Sequence, residues 1–523
     1  MHGHKSLNLI LALLLLPAAI VWPIRSATPP GTNSLAPETL QGIPGANAEW
    51  RAAVQKDLPQ SEGHITGQMA GVTGLSLVPD WLGEGNQEDA DFGYSVGTAG
   101  DVNGDGYDDV IVGAIYYTNG QDAEGAAAVY YGSADGLSLV PNWLAEGDQA
   151  DSRFGWSVGT AGDVNGDGYD DIIVGAPLYD RGQTDEGVAA VFYGSATGLS
   201  LVPNWGDEGD QAGAEFGYSV GTAGDVNGDG YDDVIVGAPI YEDGQTREGA
   251  AAVYHGSAGG LAFLPGWLGE GDQVNAVFGY AVGTAGDVNG DGYADVIVSA
   301  PNYENGQANE GAAFVYHGSA SGLSQLPAWM DEGDQVEAYL GDSVGTAVDV
   351  NGDGYDDVIV GASDYDHGEV DEGVAVVYHG SAAGLSLVPN WLGESNQAFS
   401  GFGWSSGTAG DVNGDGYDDV IVGAPEYNHG QLYEGAAVVY LGSATGLSLV
   451  PNWGDEGDQI EAYLGDSVGT AGDVNGDGYS DVIVGAPGYD LGQLDEGVAA
   501  VYHGSGTNIS HNLIYMPLAL RNP

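Results

Sequence analysis

The chain contains no cysteine, and only 8 lysine and arginine residues stand against 76 aspartate and glutamate. The first absence removes disulfides, thiol nucleophiles and zinc–thiolate sites together. The second leaves a formal net charge of −68, a field that repels phosphate backbones and anionic headgroups, so nucleic acid and membrane surfaces are excluded as partners. Long apolar runs are scarce as well, and beyond the N-terminus none approaches the ~20 residues of a membrane span. Glycine is in excess, at 92 of 523 residues, against a usual share of ~7%. No Gly-X-Y period accompanies it, and 43% of residues are hydrophobic and 10% aromatic, which speaks against collagen and wholesale disorder. A packed, turn-rich, all-β chain remains. Without disulfides, its staples would have to be metal ions.

The ends differ from the middle. Met1–Lys5 precedes an apolar run, Leu9–Trp22, that is broken by Pro17 and followed by the small residues Ser26 and Ala27. This is the architecture of a secretory leader over 1–27, with a retained anchor as the alternative. Residues 28–64 read as a Pro- and polar-rich linker with a short helix at Ala48–Leu58. Residues 506–523 form a tail whose apolar run, Leu513–Leu520, is too short to span a bilayer. A secreted or cell-surface protein is expected, with no membrane insertion after leader cleavage.

Between these ends the chain repeats. DVNGDGY begins at Asp101, Asp163, Asp225, Asp287, Asp349, Asp411 and Asp473, a step of 62 each time, and Trp81, Trp143, Trp205, Trp267, Trp329, Trp391 and Trp453 keep the same step. Seven copies without an insertion imply seven units with identical neighbours. Each reads as four strands. In the first, Phe92–Val102 is rich in small residues and suits the crowded centre. Asp109–Ala114 and Gly125–Tyr131 are continuous apolar runs of the kind covered on both faces. Gly136–Trp143 contains a proline and reads as the outermost strand. The expected fold is an all-β, seven-bladed β-propeller of four-stranded blades over residues 65–505. A linear solenoid is the competing layout, but Ile65–Trp81 matches the end of a repeat and the seventh copy lacks its own outer strand. An N-terminal strand completing the last blade would therefore close the ring.

The hairpin sequence carries the chemistry. In Asp101–Asp109, oxygen-bearing side chains at positions 1, 3 and 5 (Asp101, Asn103, Asp105) can converge where Gly106 permits a sharp turn; Tyr107 offers its carbonyl and Asp109 closes the shell. The same set recurs as Asp163, Asn165, Asp167, Tyr169 and Asp171, and as Asp225, Asn227, Asp229, Tyr231 and Asp233. It continues as Asp287, Asn289, Asp291, Tyr293 and Asp295, then Asp349, Asn351, Asp353, Tyr355 and Asp357. The last two sets are Asp411, Asn413, Asp415, Tyr417 and Asp419, and Asp473, Asn475, Asp477, Tyr479 and Asp481. All-oxygen donors select a hard cation, and flexible coordination favours Ca2+ over Mg2+. Position 8 varies, with Ala294 and Ser480 replacing Asp, and is a poor ligand candidate. About seven Ca2+ would move the charge only to about −54, so an acidic surface persists whether or not metal is bound. An EF-hand is excluded because its twelfth position here is Val112 inside a strand.

The units Phe92-Gly93, Asp101–Asp109 and Gly175-Ala176-Pro177 resemble the FG-GAP repeat of integrin α-chain propellers and their bacterial counterparts over residues 65–505. The departures are Leu340 and Leu464 for Phe, Ile115 and Ser363 for Pro, and Ser299 for Gly. The resemblance implies Ca2+ in loops joining first and second strands on one face and partners on the other. The implied function is an extracellular adhesion or recognition module for a protein or glycan. On the partner face the copies differ, and Arg181, Arg247, His367, His429 and Tyr433 are the contact candidates, while Tyr179, Gly182 and Glu186 recur and read as structural. A lyase or glycosidase acting on polysaccharide is the alternative function, since carboxylates alone serve glycosidases. Against it, no Ser-His-Asp or metal–His cluster is visible, and His255, His317, His379 and His503 share one repeat position at a strand end, so no catalytic residue is assigned.

Overall fold

The computed structural model describes residues 74–506 and contains no helix among them. The leader, the linker with its expected helix, the segment 65–73 and the tail beyond 506 lie outside the described residues. The first blade consists of β3 (Phe92–Gly100), β4 (Asp109–Ala114), β5 (Ala126–Tyr130) and β6 (Trp143–Glu146), paired in that order and antiparallel throughout. Five further blades repeat this order, and the seventh is built of β27 (Val468–Gly472), β28 (Asp481–Ala486), β29 (Val498–Tyr502) and the N-terminal β2 (Trp81–Glu84). The ring thus closes by pairing Trp81 with Val501 and Glu84 with Val498. A second pairing, β1 (Gly74–Leu75) with β30 (Gly504–Ser505), reinforces the same join.

The outermost strand lies later than the proline-containing segment expected to form it. Gly136–Asn142 is a loop, and the strand starts at Trp143. The ladder ends there because Asn142 turns its side chain back, accepting the Tyr131 N–H at 3.0 Å, while Pro141 has no N–H to give. Leu139 and Val140 are left exposed. The closing strand is displaced in the same way, occupying Trp81–Glu84 at the very end of the expected Ile65–Trp81 segment.

Second strands are wholly buried, and third strands are buried but for Val188, because each blade is sandwiched between two others. One core cluster joins Val110 and Val112 of the first blade to Trp81, Ile483 and Val501 of the last. Each Trp of the outermost strand donates its indole N–H to the next blade, as Trp143 does to the Ser200 carbonyl at 2.8 Å and Trp453 to the Ser76 carbonyl at 2.8 Å across the join. First strands lie side by side around the axis. There Ser95 accepts the Val158 N–H at 3.1 Å, and Ser467 accepts the Val96 N–H at 3.0 Å to complete the circuit.

Every first strand ends in a bulge that feeds the hairpin, and its last residue has positive φ. Six copies place Gly there, but the fifth has Val348 at φ 56°. A β-branched side chain is strained in that region by ~1–3 kcal/mol. Val348→Gly should therefore raise stability by about 1 kcal/mol after glycine's entropic cost, measured as a shift in denaturant midpoint.

Candidate functional site

The hairpins joining first and second strands project from one face. In each, the first Asp caps its own loop: Asp101 accepts N–H groups from Gly104 (2.7 Å), Asp105 (3.0 Å) and Gly106 (2.8 Å). Asp105 is exposed and accepts the Tyr107 N–H at 3.2 Å. Asp109 is buried, taking the Val102 N–H at 3.2 Å and, from the third strand's end, the Gly132 N–H at 2.9 Å. The Asn103 amide reaches Asp109 at 3.4 Å, which brings positions 3 and 9 together. Equivalent bonds recur around the ring, as in Asp163 with Gly166, Asp225 with Gly228, Asp411 with Gly414, and Asp295 with Gly318.

The side chains are not drawn onto one centre here; Asp101 and Asp109 are turned onto backbone donors. The donor set nevertheless fits a hard cation. It is all oxygen, it sits on a preformed tight loop, and burial pushes the Asp109 carboxyl up to about 8 because no cationic side chain neutralises it. Asp171, Asp357, Asp419 and Asp481 behave alike, and Asp233 and Asp295 rise to about 7.

The tyrosine at position 7 covers the neighbouring hairpin: a Cβ added at Gly104 would meet the Tyr169 ring at 2.5 Å. Position 8 has a role that the repeat comparison did not reveal. Asp170 accepts the Asp101 N–H at 2.8 Å and Asp108 accepts the Asp473 N–H at 2.7 Å, so it clasps adjacent blades. His255 packs against Gly322 of the next blade, consistent with a structural role.

The opposite face is built from the loops between second and third strands and those leading into each next blade. Of the contact candidates there, Arg181 is already paired with Glu208 at 3.2 Å, His367 with Glu394, and His429 with Glu456 at 2.8 Å. Tyr433 stacks on Tyr463 with ring centroids 5.9 Å apart. Arg247 lines a cavity of about 440 Å³ together with Tyr218, Tyr280, Tyr339, Asp342 and Trp404.

That cavity belongs to a crown around the axis. The residue after each Phe-Gly or Leu-Gly pair is Tyr94, Trp156, Tyr218, Tyr280, Asp342, Trp404 or Asp466. Tyr94, Trp156, Tyr218 and Tyr280 follow one another with centroids 5.0, 5.3 and 5.1 Å apart. Arg153 lies over Trp156 at 5.7 Å and Tyr116 at 4.7 Å. The crown was visible in the sequence as an aromatic at one repeat position in five copies, replaced by Asp in the two copies that also replace Phe by Leu.

Burial pushes the carboxyls of Asp342 and Asp466 up to about 7. Their folded values lie above the ordinary 3.8, so the stability each contributes is fully present below about pH 4 and is lost as pH rises through about 7. Asp342→Asn with Asp466→Asn should leave melting unchanged near pH 4 and raise it at pH 8, measured in metal-free buffer. A gap of the same size at both pH values would contradict this.

Seven equivalent blades closed into a ring, each with an aspartate-rich hairpin, define a β-propeller of repeated acidic hairpins. The chain belongs to the FG-GAP repeat family, whose model matches residues 92–130, 154–192, 216–254, 278–316, 340–378, 402–440 and 464–502, more than half of the chain. It is 34% identical to integrin alpha-V of Gallus gallus over 267 residues, 48% of this chain and 24% of that protein. It is 32% identical to integrin alpha-5 of Xenopus laevis over 248 residues, 46% of this chain and 22% of that protein. The chain thus spans about a quarter of the length of these relatives. Among solved structures, BBS1N in complex with ARL6DN aligns at 10% identity and TM-score 0.44, covering 82% of this chain and 96% of that one. An exotype rhamnogalacturonan lyase aligns at 12% and 0.38, covering 83% and 75%. Neither likeness is close enough to carry an argument.

Proposed function

We propose that this protein is a calcium-bound extracellular recognition propeller that holds a protein or glycan partner on the face opposite its acidic hairpins. The observation that carries the reading is the crown of Tyr94, Trp156, Tyr218, Tyr280 and Trp404 with Arg247 at its cavity. Aromatic faces supply apolar contact at little entropic cost and stack on sugars or side chains alike, while the arginine at the cavity, set in an acidic field, fixes orientation. The hairpins, on the other face, hold Ca2+ and act at a distance by ordering the strands that place the crown. In this reading no substrate is turned over.

The test is a screen of extracellular proteins and glycans with and without Ca2+, followed by Trp404→Ala and Arg247→Ala. Central aromatic and arginine contacts contribute about 2 kcal/mol or more, so each variant should weaken binding ~30-fold with little change in melting. Normal binding by both would move recognition away from the crown. Release of product from an acidic polysaccharide would replace the binding module with an enzyme.

A further inference from the structure

We infer a second kind of metal site, a hard divalent-cation site in the first blade on the face opposite the hairpins, formed by Glu124, Glu146 and Asp148. Carboxylate oxygens of these three residues all lie within 4.8 Å of one another. They come from separate elements: Glu124 precedes β5, Glu146 ends β6, and Asp148 begins the loop into the second blade. Nothing in the Asp-rich hairpins contributes to them.

Acidic residues gather without metal throughout this chain, so proximity alone would mean little. The second observation is Glu124, which is 0% exposed; Glu248 and Glu310 share its burial and its unpartnered Oε2, but among the described residues their neighbouring carboxylates do not gather around them as those of Glu124 do. One Glu124 oxygen accepts the Asn119 N–H, and the other, Oε2, is buried with no partner. A buried carboxylate oxygen left without a donor is costly, and a cation beside it removes the cost. Glu146 is half-buried and bonded only to the Asn119 side-chain amide, at 2.9 and 3.1 Å, and Asp148 is exposed, so an ion has a path from solvent.

The other blades supply an internal comparison. The residue equivalent to Asn119 is Arg181 in the second blade, His367 in the fifth and His429 in the sixth. Each places nitrogen on the glutamate equivalent to Glu146: Arg181 on Glu208 at 3.2 Å, His367 on Glu394, and His429 on Glu456 at 2.8 Å. Three blades thus put a cationic or protonatable side chain against the carboxylates where the first blade has a neutral amide. The oxygen-only donors, with the Asn119 carbonyl available after an amide flip, suit Ca2+ and its spectroscopic stand-in Mn2+ and do not suit soft metals.

Crystals of the full chain soaked in Mn2+ should show an anomalous peak within about 2–2.6 Å of oxygens of Glu124, Glu146 and Asp148. Asn119→Arg, which installs the second blade's arginine, should remove that peak and lower the Ca2+ count in equilibrium dialysis by one per chain without disturbing the hairpin sites. Glu146→Gln, a near-isosteric change at a half-exposed position, should weaken the same site more than 10-fold and serves if the arginine variant does not fold. A map with peaks at the hairpins and none among these three residues overturns the inference. So does an unchanged ion count in both variants. Loss of hairpin ions through Asp105→Ala tests the proposed hairpin sites separately and leaves this one in place.

Discussion

A chain lacking residues 74–84 should not give a soluble monomer. The four residues of β2 supply the whole outer edge of the last blade, and β1 makes the only other pairing with the C-terminal end among the described residues. Their loss bares Val498–Tyr502, a strand in which every residue is otherwise buried. A bared apolar edge of this kind recruits other chains. It also removes Trp81, 4% exposed and packed on Tyr130 of the first blade at 4.8 Å, and leaves the Trp453 indole without the Ser76 carbonyl. Truncating one buried Trp costs about 3–5 kcal/mol, against a total stability of about 5–15 kcal/mol. Light scattering should find aggregates, and Trp81→Ala alone should lower the melting temperature steeply. Deleting residues 28–63 should do little by comparison. If both deletions melt alike as monomers, the ring does not depend on its N-terminal closure.

Much of this was legible because the period is strict. A step of 62 without insertions fixes seven equivalent blades, and the continuous apolar runs at Asp109–Ala114 and its copies coincide with the second strands residue for residue. The closing strand was legible from the two incomplete ends. Strand register at the rim was not. The apolar Leu139-Val140 pair looks like strand in isolation, but Asn142 satisfies the ladder with its side chain and ends it, which composition does not disclose. Position 8 of the hairpin varied between copies and read as a poor ligand candidate, and its actual role, Asp170 reaching the neighbouring blade, was not legible because a contact between units leaves no mark within one unit. Arg181 stood out as a rare cation and a contact candidate, but its guanidinium is held inside its own blade by Glu208. The crown escaped notice for a different reason, being distributed as one residue per copy over the whole ring.

Equilibrium dialysis should find about seven Ca2+ ions held by the hairpins, and a chelator should lower the melting temperature markedly. Without an ion, each hairpin holds Asp101, Asp105 and Asp109 or their equivalents in one short loop with no lysine or arginine inside it. The member at position 9 is buried in every copy, and burial pushes all seven carboxyls up, to about 7 in Asp233 and Asp295 and to about 8 in Asp109, Asp171, Asp357, Asp419 and Asp481. Extracellular sites with Kd near 10⁻⁴–10⁻³ M would each gain about 1.4–2.7 kcal/mol at ~10 mM Ca2+. Seven such sites in one cooperative ring would sum to roughly 10 kcal/mol or more. Single changes separate ligand from clasp. Asp105→Ala, at an exposed position whose one bond is the 3.2 Å contact with the Tyr107 N–H, should remove one ion with modest loss of stability in chelator. Asp108→Asn, which faces the Asp473 N–H of the last blade at 2.7 Å, should leave the ion count unchanged. An ion count of one or none, or a melting temperature indifferent to chelator, would return the hairpins to plain Asx-capped turns whose carboxylates serve only their own backbone.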